Sequence, residues 1–464
     1  MTYAAMLVNS LEIYATRWAH VSVWLGKWLG VIGVTLMALM ALLAIWRRRL
    51  AHNAGTRALQ DAVQNDMHVP STLHPEIDPV RCAGCGACVR ACPEGEIIQL
   101  IHHRAVLVSP TKCVGHGECE VACPFAAISL VFGTKTRGME LPRISTNYET
   151  NVSGLYIVGE LGGMGLIRNA TKQGKLAGEH AVQTLNGKGR ADVDVLIVGA
   201  GAAGLSAALA VHASRQSYAC LEQGSVGGTI FNFPRQKIVM THPAELPMIG
   251  TMKFPKNKVS KEELLAYWNE VRKLTGLKIR EGCKFIDLKK QGDIFVVATS
   301  QGQLTASKVI LAMGVRGTPR KLGVPGEDLA KVTYNLLDPE QYQRMHIAVV
   351  GGGNAAVEAA QYLARPEYKN RVTVLVRGKA LDRANQENKD IITEMAKRGQ
   401  LKMRFDTVVK EVRKDHIIVD NLGKLSRMPN SYLFIFAGAE LPFKFLQELG
   451  IKIDKKFGEP LRKI

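Results

Sequence analysis

Two hydrophobic patterns recur along this chain of 464 residues. Nearly continuous apolar runs occupy residues 195–198, 347–350 and 372–376, and the first two lead through glycine-rich turns into alanine-rich stretches. Such runs predict strands buried on both faces of a parallel sheet, and the strand–turn–helix order predicts an α/β fold. Residues 96–101 and 105–108 flank a His-His-Arg turn and predict a β-hairpin in a smaller α+β unit.

The N-terminal region contains a nineteen-residue uncharged stretch, residues 28–46, with a tryptophan at each end. As a helix it would be about 28 Å long, enough to cross a bilayer. Arg47, Arg48, Arg49 and Arg57 outnumber Arg17 and Lys27 on the other side. The positive-inside rule then predicts a single-pass protein of the cell inner membrane, with its N-terminus outside and its bulk cytoplasmic. A cleaved signal peptide is the alternative, but no small-residue cleavage site follows the stretch.

Composition narrows the class of protein. The 60 basic and 41 acidic residues give a net charge of +19, which favours anionic lipid or acidic protein neighbours. Nucleic acid is not expected, because the chain has no zinc-finger spacing and no basic stripe. Seven of the nine cysteines lie between positions 82 and 123, a density that predicts cluster ligation in a reducing compartment and not a disulfide framework.

The cysteine-rich region contains two runs with the same frame. Cys82, Cys85, Cys88 and Cys92 have the C-x2-C-x2-C-x3-C-P spacing, and the second run places Cys113, His116, Cys119 and Cys123 in that frame. In two-cluster proteins three closely spaced thiolates bind one iron–sulfur cluster and the fourth reaches the other. Crossed ligation assigns Cys82, Cys85, Cys88 and Cys123 to the first cluster, and Cys113, Cys119, Cys92 and His116 to the second. Zinc is a weaker alternative, because the run ends in Cys-Pro.

On these motifs residues 79–138 resemble bacterial dicluster ferredoxins, which implies two iron–sulfur clusters. His116 departs from that pattern and leaves three outcomes. The imidazole ligates a 4Fe-4S cluster, or the corner iron is missing and the cluster is 3Fe-4S, or the second site is degenerate and holds none. A neutral imidazole in place of a thiolate should raise the reduction potential of the second cluster.

A first dinucleotide motif follows. The strand ending at Val198 runs through Gly199, Gly201 and Gly204, in G-x-G-x-x-G spacing, into a helix, and Glu222 ends the next strand. The glycines permit a tight turn, the helix N-terminus faces a pyrophosphate, and a carboxylate at the second strand end accepts hydrogen bonds from ribose hydroxyls. We therefore predict a dinucleotide site here.

A second unit of the same kind contains Gly351, Gly353, Asn354 and Ala356. No carboxylate ends its following strand; the basic residues Arg377, Lys379 and Arg383 lie there instead. Basic residues at this place favour a 2′-phosphate, and therefore NADPH over NADH. A solvated basic loop is the alternative interpretation.

Residues 193–464 resemble the thioredoxin-reductase-like flavoproteins, including the bacillithiol-disulfide-reductase branch. The resemblance extends to Gly228 and Thr229 after the first unit and to Gly314 before the second. It implies FAD in the first Rossmann-like domain, NAD(P)H in the second, and a homodimer. The chain has neither the C-x-x-C of the nicotinamide domain nor a cysteine in the first glycine motif, so the nucleophile of disulfide chemistry is missing.

A flavin-contacting segment that ends the chain in those families precedes the first glycine motif here, at residues 150–163, with Gly159 and Glu160 in the contacting positions. We therefore predict a circularly permuted FAD domain completed by residues 142–187, since nearby surface termini make such permutation tolerable. The predicted domains are 1–50 (membrane helix), 51–78 (linker), 79–138 (ferredoxin), 139–192 (permuted segment and linker), 193–325 (FAD), 326–440 (NAD(P)) and 441–464 (return to the FAD domain).

Together the motifs predict a membrane-anchored NAD(P)H oxidoreductase that moves electrons between NAD(P)H, FAD, two clusters and a redox partner. No catalytic side chain is expected, because the cofactors supply the chemistry. The expected partner is a cytochrome, a ferredoxin or a membrane redox subunit. Two alternatives stay open: a thiol or disulfide reductase, and a non-enzymatic wiring or redox-sensing subunit.

Overall fold

The fold was analysed in a computed structural model. It describes residues 28, 32–50, 52–60, 62–63, 70, 73–95, 97–110, 113–134, 138–163, 165–185, 191–240, 243–255, 258–315, 318–381, 383–384, 386–440 and 442–460.

The predicted membrane helix at residues 28–46 lies partly outside the described residues. Residues 32–50 are helical, and their apolar side chains, from Ile32 to Trp46, are exposed. Among the described residues no helix is both long enough and apolar enough to cross a bilayer. The following helical residues, 52–60, lie against the next module, where the His52 ring contacts that of His102 at 4.9 Å.

The cysteine-rich module is a small α+β unit. Strand His74–Ile77 pairs antiparallel with Ile128–Phe132, and Ile98–Ile101 pairs antiparallel with Arg104–Leu107, which is the predicted hairpin. Its two short helices are Ala87–Ala91 and Glu118–Val121. Both helices bring a cysteine, Cys88 and Cys119, into a core built from Ile97, Ile98, Leu130 and Phe132.

The first Rossmann-like domain is organised around strand Val193–Val198. This strand pairs in parallel with Tyr218–Leu221 on one side and Gly302–Leu311 on the other, and the sheet continues antiparallel through Ile294–Thr299 and Phe285–Gln291. The last residues of Gly302–Leu311 also pair in parallel with Leu155–Ile157. A strand from before the glycine motif therefore belongs to this sheet.

Two helices cover one face of that sheet. Ile167–Gln183 packs along Ala202–Ala213, and glycines make the contact close. A methyl group on Gly174 would lie 2.0 Å from the carbonyl oxygen of Ala203, and one on Gly178 would lie 2.9 Å from that of Ala207. Only residues without a Cβ allow the helix backbones to approach this far.

The second Rossmann-like domain has a parallel sheet in the order Val332–Thr333, Tyr432–Ile435, His346–Val350, Arg371–Leu375, Leu401–Arg404. Helices Asn354–Leu363 and Gln386–Lys397 accompany it. Strands Thr407–Val412, His416–Asn421 and Lys424–Pro429 form an antiparallel layer on the sheet.

The chain end returns to the earlier modules. Helix Phe443–Glu448 inserts Leu446 into the core of the first domain beside Leu196. Strand Ile453–Lys456 then pairs antiparallel with Met139–Pro142, and Glu459–Pro460 pairs with strand Ile128–Phe132 of the cysteine-rich module.

The remaining elements are short, apart from one long helix. They are strand pairs Ile238–Met240 with Lys258–Ser260, Ala244–Leu246 with Gly250–Met252, and Thr318–Pro319 with Ala439–Glu440, together with helix Lys261–Thr275 and the 3-10 turns Gly159–Gly162, Pro339–Gln341 and Pro366–Tyr368.

The contact between the two helices predicts an unusual response to alanine. Gly174→Ala would gain about 1 kcal/mol of helix propensity, but overpacking against the Ala203 carbonyl costs about 1–3 kcal/mol. We expect a net loss of stability, measured as a lower Tm of the purified protein. Lys175→Ala, at the next position with its side chain one third exposed, is the control and should change the Tm little. A Tm raised by Gly174→Ala would contradict the close contact.

Candidate cofactor sites

Four thiols surround the first cavity of the cysteine-rich module. Cys82, Cys85, Cys88 and Cys123 line a space of about 290 Å³, part of it open to solvent. The backbone N–H groups of Ala105 and Ala127 lie 3.4 Å from the Sγ atoms of Cys82 and Cys123. The set combines three thiols of the first run with the last thiol of the second, which is the grouping of crossed ligation.

A second cavity encloses about 340 Å³ of space, part of it also open to solvent. Cys92, Cys113 and Cys119 line it together with His116 and Glu94. The His116 side chain is 8% exposed, and its Nε2 atom is 3.7 Å from a Glu94 carboxylate oxygen. The imidazole therefore lines the same cavity as the three thiols, and its position fits either a ligand or a neighbour of a cluster.

Burial favours the protonated form of four of the thiols that line these cavities. Burial raises the pKa of Cys88, Cys92 and Cys113, and raises that of Cys119 to about 12, with further repulsion from Cys113 and Cys92. Among the described residues no three His, Cys, Asp or Glu side chains converge on a position for a single metal ion. Each set instead surrounds a cavity, as ligands of a multi-iron cluster do, and bound iron would stabilise the thiolates.

The first glycine motif forms a tight turn between strand Val193–Val198 and helix Ala202–Ala213. Gly199 has a φ of 102°, and a methyl group on Gly204 would lie 1.8 Å from the carbonyl oxygen of Gly199. A methyl group on Gly201, by contrast, would meet no atom of the described chain within 4 Å. The turn is therefore closed against the sheet and open at the helix N-terminus, where a pyrophosphate would bind.

Glu222 lies beside this turn and is buried. Its Oε2 atom accepts a hydrogen bond from Ala200 N at 2.8 Å, and its Oε1 atom accepts one from Gly224 N at 3.0 Å. Gly228 has a φ of 53°, and a methyl group on it would lie 3.5 Å from the Gly201 backbone and 3.9 Å from a Glu222 carboxylate oxygen; Thr229 follows it. The motif residues after the first unit thus surround one opening.

The segment before the motif reaches the same turn. Gly159 N donates to the Gln173 side chain at 2.7 Å, and a methyl group on Gly159 would lie 3.2 Å from the Ala203 side chain. A methyl group on Gly314 would lie 4.0 Å from a carboxylate oxygen of Glu160. Three sequence regions, residues 159–160, 199–204 and 312–314, therefore meet at one edge of the sheet.

The second glycine motif has the same form in the other domain. Gly351 has a φ of 139°, and a methyl group there would lie 2.6 Å from the carbonyl oxygen of Phe436. Gly353 forms a bridge with Arg383, while Arg377 and Lys379 are exposed after strand Arg371–Leu375. Asn354 begins the helix and accepts from Asn388 at 3.2 Å, and Ala356 is buried.

The sequence did not reveal two side chains that join these sites. Gln173 holds Gly159, and Arg168, on the same helix, donates to Glu118 Oε1 at 2.7 Å and to the His116 carbonyl oxygen at 3.0 Å. Polar residues within an amphipathic helix are ordinary surface residues in sequence, so no local pattern signals these contacts.

Two family matches cover most of the chain. Residues 196–462 match the family described as pyridine nucleotide-disulphide oxidoreductase, and residues 74–124 match the 4Fe-4S dicluster domain. The first match spans more than half of the chain. Both resemblances expected from the motifs are therefore confirmed.

Relatives with known names support the same assignment. Bacilliredoxin reductase of Bacillus subtilis is 29% identical over 57% of this chain and 82% of its own length. Ferredoxin–NADP reductase of Ignicoccus hospitalis is 30% identical over 57% of this chain and 83% of its own length. The solved structure of bacillithiol disulfide reductase from Staphylococcus aureus matches with a TM-score of 0.51 at 24% identity, covering 58% of this chain and 84% of that one.

The solved structure shows a shared fold, and the predicted α/β arrangement of Rossmann-like domains is confirmed. The family match and the sequence relatives extend the assignment to the class of enzyme. The chain belongs to the pyridine nucleotide-disulphide oxidoreductase family, as an FAD-dependent oxidoreductase that also contains a 4Fe-4S dicluster ferredoxin domain.

Proposed function

We propose that this protein is an NAD(P)H oxidoreductase that exchanges electrons between NAD(P)H and a redox partner through FAD and two iron–sulfur clusters. One observation carries the proposal. Helix Ile167–Gln183 holds the Gly159 turn through Gln173 and the His116 loop through Arg168. The two residues are five positions apart, about 7.5 Å along a helix, so one rigid element joins the Gly159 turn, called the flavin turn below, to the second cavity.

The protein's contribution to this function is positional. When bound, FAD supplies the conversion between two-electron hydride transfer and one-electron transfer to clusters. The Gly199–Gly204 turn and the buried Glu222 carboxylate would hold the dinucleotide, and the two thiol sets would hold the clusters. Backbone N–H groups near Cys82 and Cys123 would tune the first cluster, since hydrogen bonds to sulfur shift its potential.

Disulfide reduction, the activity in some relatives' names, is the weaker candidate here. Outside residues 82–123 the chain has two cysteines, Cys220 and Cys283, and both are buried. Burial raises the pKa of Cys220 to about 12, so its thiol is a poor nucleophile at neutral pH.

We also propose that residues 142–187 complete the FAD domain in permuted order. Strand Leu155–Ile157 pairs with Gly302–Leu311, and residues near the chain end lie beside the segment's start. Arg143 N donates to the Lys452 carbonyl oxygen at 2.8 Å, and Asn151 bonds to Gly450 O and Lys452 N at 2.8 Å each. A chain continuing from residue 452 into this segment would need only a short connection, which supports the permutation.

The location of the protein is a further proposal. We propose that residues 28–46 anchor the protein in the cell inner membrane, with the bulk cytoplasmic and the partner a cytochrome, a ferredoxin or a membrane redox subunit. The exposed apolar side chains of residues 32–46 and the arginines after them support an anchor. A homodimer is proposed from the resemblance alone.

The central test is an anaerobic titration of the full-length protein with NADPH and, separately, NADH, followed by optical and EPR spectra. We expect the flavin absorbance to bleach and the EPR signals of reduced clusters to appear in the same titration. If the flavin absorbance bleaches but no cluster signal appears at any amount of added nucleotide, electron transfer from flavin to clusters within the chain is refuted. Persistent disulfide turnover without cluster reduction would favour the reductase alternative.

The basic loop of the second domain should select the phosphorylated nucleotide. We expect Arg377→Ala, Lys379→Ala and Arg383→Ala each to raise the KM for NADPH about tenfold or more, because a hydrogen bond to a charged group contributes about 1.5–3 kcal/mol. The KM for NADH should change much less. Arg371→Ala, exposed at the other end of the same strand, is the control. Equal changes for both nucleotides would show that the loop is only a solvated surface.

His116 should set the nature of the second cluster. We expect His116→Cys to give a 4Fe-4S cluster of lower potential, because a thiolate adds negative charge, and His116→Ala to leave a 3Fe-4S cluster. Iron content and EPR spectra of the anaerobic protein measure both. His103→Cys, in the exposed hairpin turn, is the control. If both His116 variants keep the wild-type spectrum and potential, His116 is not a ligand.

A further inference from the structure

The two cluster cavities face different surroundings. The second lies against residues 142–187, the proposed flavin segment, where Arg168 bonds to Glu118 and to the His116 carbonyl. Nearby, a methyl group on Gly163 would lie 2.9 Å from the Phe132 ring, so the flavin segment packs directly on the ferredoxin sheet. The second cavity is therefore the one next to this segment, and it is called the inner cavity below; the first is called the outer cavity.

Both cavities are partly open to solvent, and the first has an exposed thiol at its edge. Cys85 is exposed, Phe125 is 48% exposed, and Val80 is 87% exposed beside the loop that begins at Cys82. Electron transfer slows steeply with distance, so a partner must approach a cluster closely. Cys85 is the one exposed thiol among the seven of this module, so a partner can approach the first cavity directly at a thiol.

The rim of this cavity is positively charged. Arg104 donates to the carbonyl oxygens of Pro79 and Cys82, and Arg90 donates to that of Cys85 at 3.4 Å. Arg81 is also exposed, and its pairing with Asp78 at 3.5 Å offsets one charge. At the inner cavity the charged lining residues are instead the carboxylates Glu94 and Glu118, and Arg168 pairs with Glu118. We call the set Val80, Arg81, Cys85, Arg90, Arg104 and Phe125 the cluster-one face.

We propose that the cluster-one face is the docking site for a one-electron redox protein whose contact surface is acidic. Exposed apolar side chains surrounded by arginines match the core and rim of an interface, and complementary charge steers association. This inference rests on the proposed function and adds where the partner binds and of what charge it is.

The stoichiometry follows from one electron per docking event. In the direction of NAD(P)H oxidation, one NAD(P)H reduces two molecules of oxidised partner and yields NAD(P)⁺, one proton and two molecules of reduced partner. Each docked partner must leave before the next arrives, so binding should be transient and sensitive to salt.

The test uses the full-length protein loaded with FAD and clusters, and a flavodoxin as the acidic probe. Binding is measured by calorimetry at low and high salt. We expect Arg81→Glu to weaken binding about three- to tenfold and to reduce the salt dependence, because it reverses a rim charge. Val80→Ser should weaken binding with the salt dependence unchanged. Iron content and flavin absorbance confirm that each variant is loaded.

Arg398→Glu is the matched control. The Arg398 side chain is 66% exposed and pairs with Glu394 at 3.0 Å. The Arg81 side chain is similarly 67% exposed and pairs with Asp78. Arg398, however, lies in the second Rossmann-like domain. Equal weakening by Arg81→Glu and Arg398→Glu would overturn the docking site and leave only a general charge effect. If the protein binds vesicles of anionic lipid, and Arg81→Glu abolishes that binding but leaves flavodoxin binding unchanged, the cluster-one face is a membrane-binding surface instead.

The proposed function fails separately. If NAD(P)H reduces the clusters but Arg81→Glu leaves flavodoxin binding unchanged, the docking site alone is refuted. If NAD(P)H does not reduce the clusters, the proposed function is refuted, whatever the binding result.

Discussion

The contact of Gly174 with the Ala203 backbone is the constraint on which the rest of the site depends. It brings helix Ile167–Gln183 against the helix that follows the first glycine motif. From that position Gln173 can hold the Gly159 turn, and Arg168 can reach the His116 loop. A side chain at position 174 would separate the two helices, and both polar contacts would lengthen together. One steric requirement thus sets the spacing between the flavin turn and the ferredoxin module.

The electrostatics of the two cluster cavities follow from this placement. Arg168 comes from the flavin segment and compensates Glu118 beside the inner cavity, where a further carboxylate, Glu94, lies next to His116. The outer cavity relies on arginines of its own module, Arg90 and Arg104. Negative charge near a cluster opposes its reduction, and positive charge favours it. The two clusters therefore experience different fields even where their thiol ligands match.

The features predicted from sequence are those with strict local requirements. Gly199 needs its positive φ, Gly204 has no room for a Cβ, and the cysteine spacing reflects the geometry of one loop around one cluster. Arg168 and the pairing of Ile453–Lys456 with Met139–Pro142 escaped prediction, because partners about 50 to 300 residues apart leave no periodic signal. The predicted membrane helix had a clear sequence signal, but the apolar side chains of residues 32–46 are exposed, so their packing does not fix its role.

The position of the chain end explains why the modules can be joined in this order. Glu459–Pro460 adds to the ferredoxin sheet, and Asp454 forms a bidentate pair with Arg143 at 2.7–3.2 Å. The C-terminal strand thus lies against the residues that follow the ferredoxin module. In an unpermuted chain this connection would be covalent; under the proposed permutation hydrogen bonds replace it, and the start of the segment is free to carry the ferredoxin module. That permutation would place the inner cluster cavity beside the flavin turn, a position that a module fused before Val193 through a flexible linker would not hold.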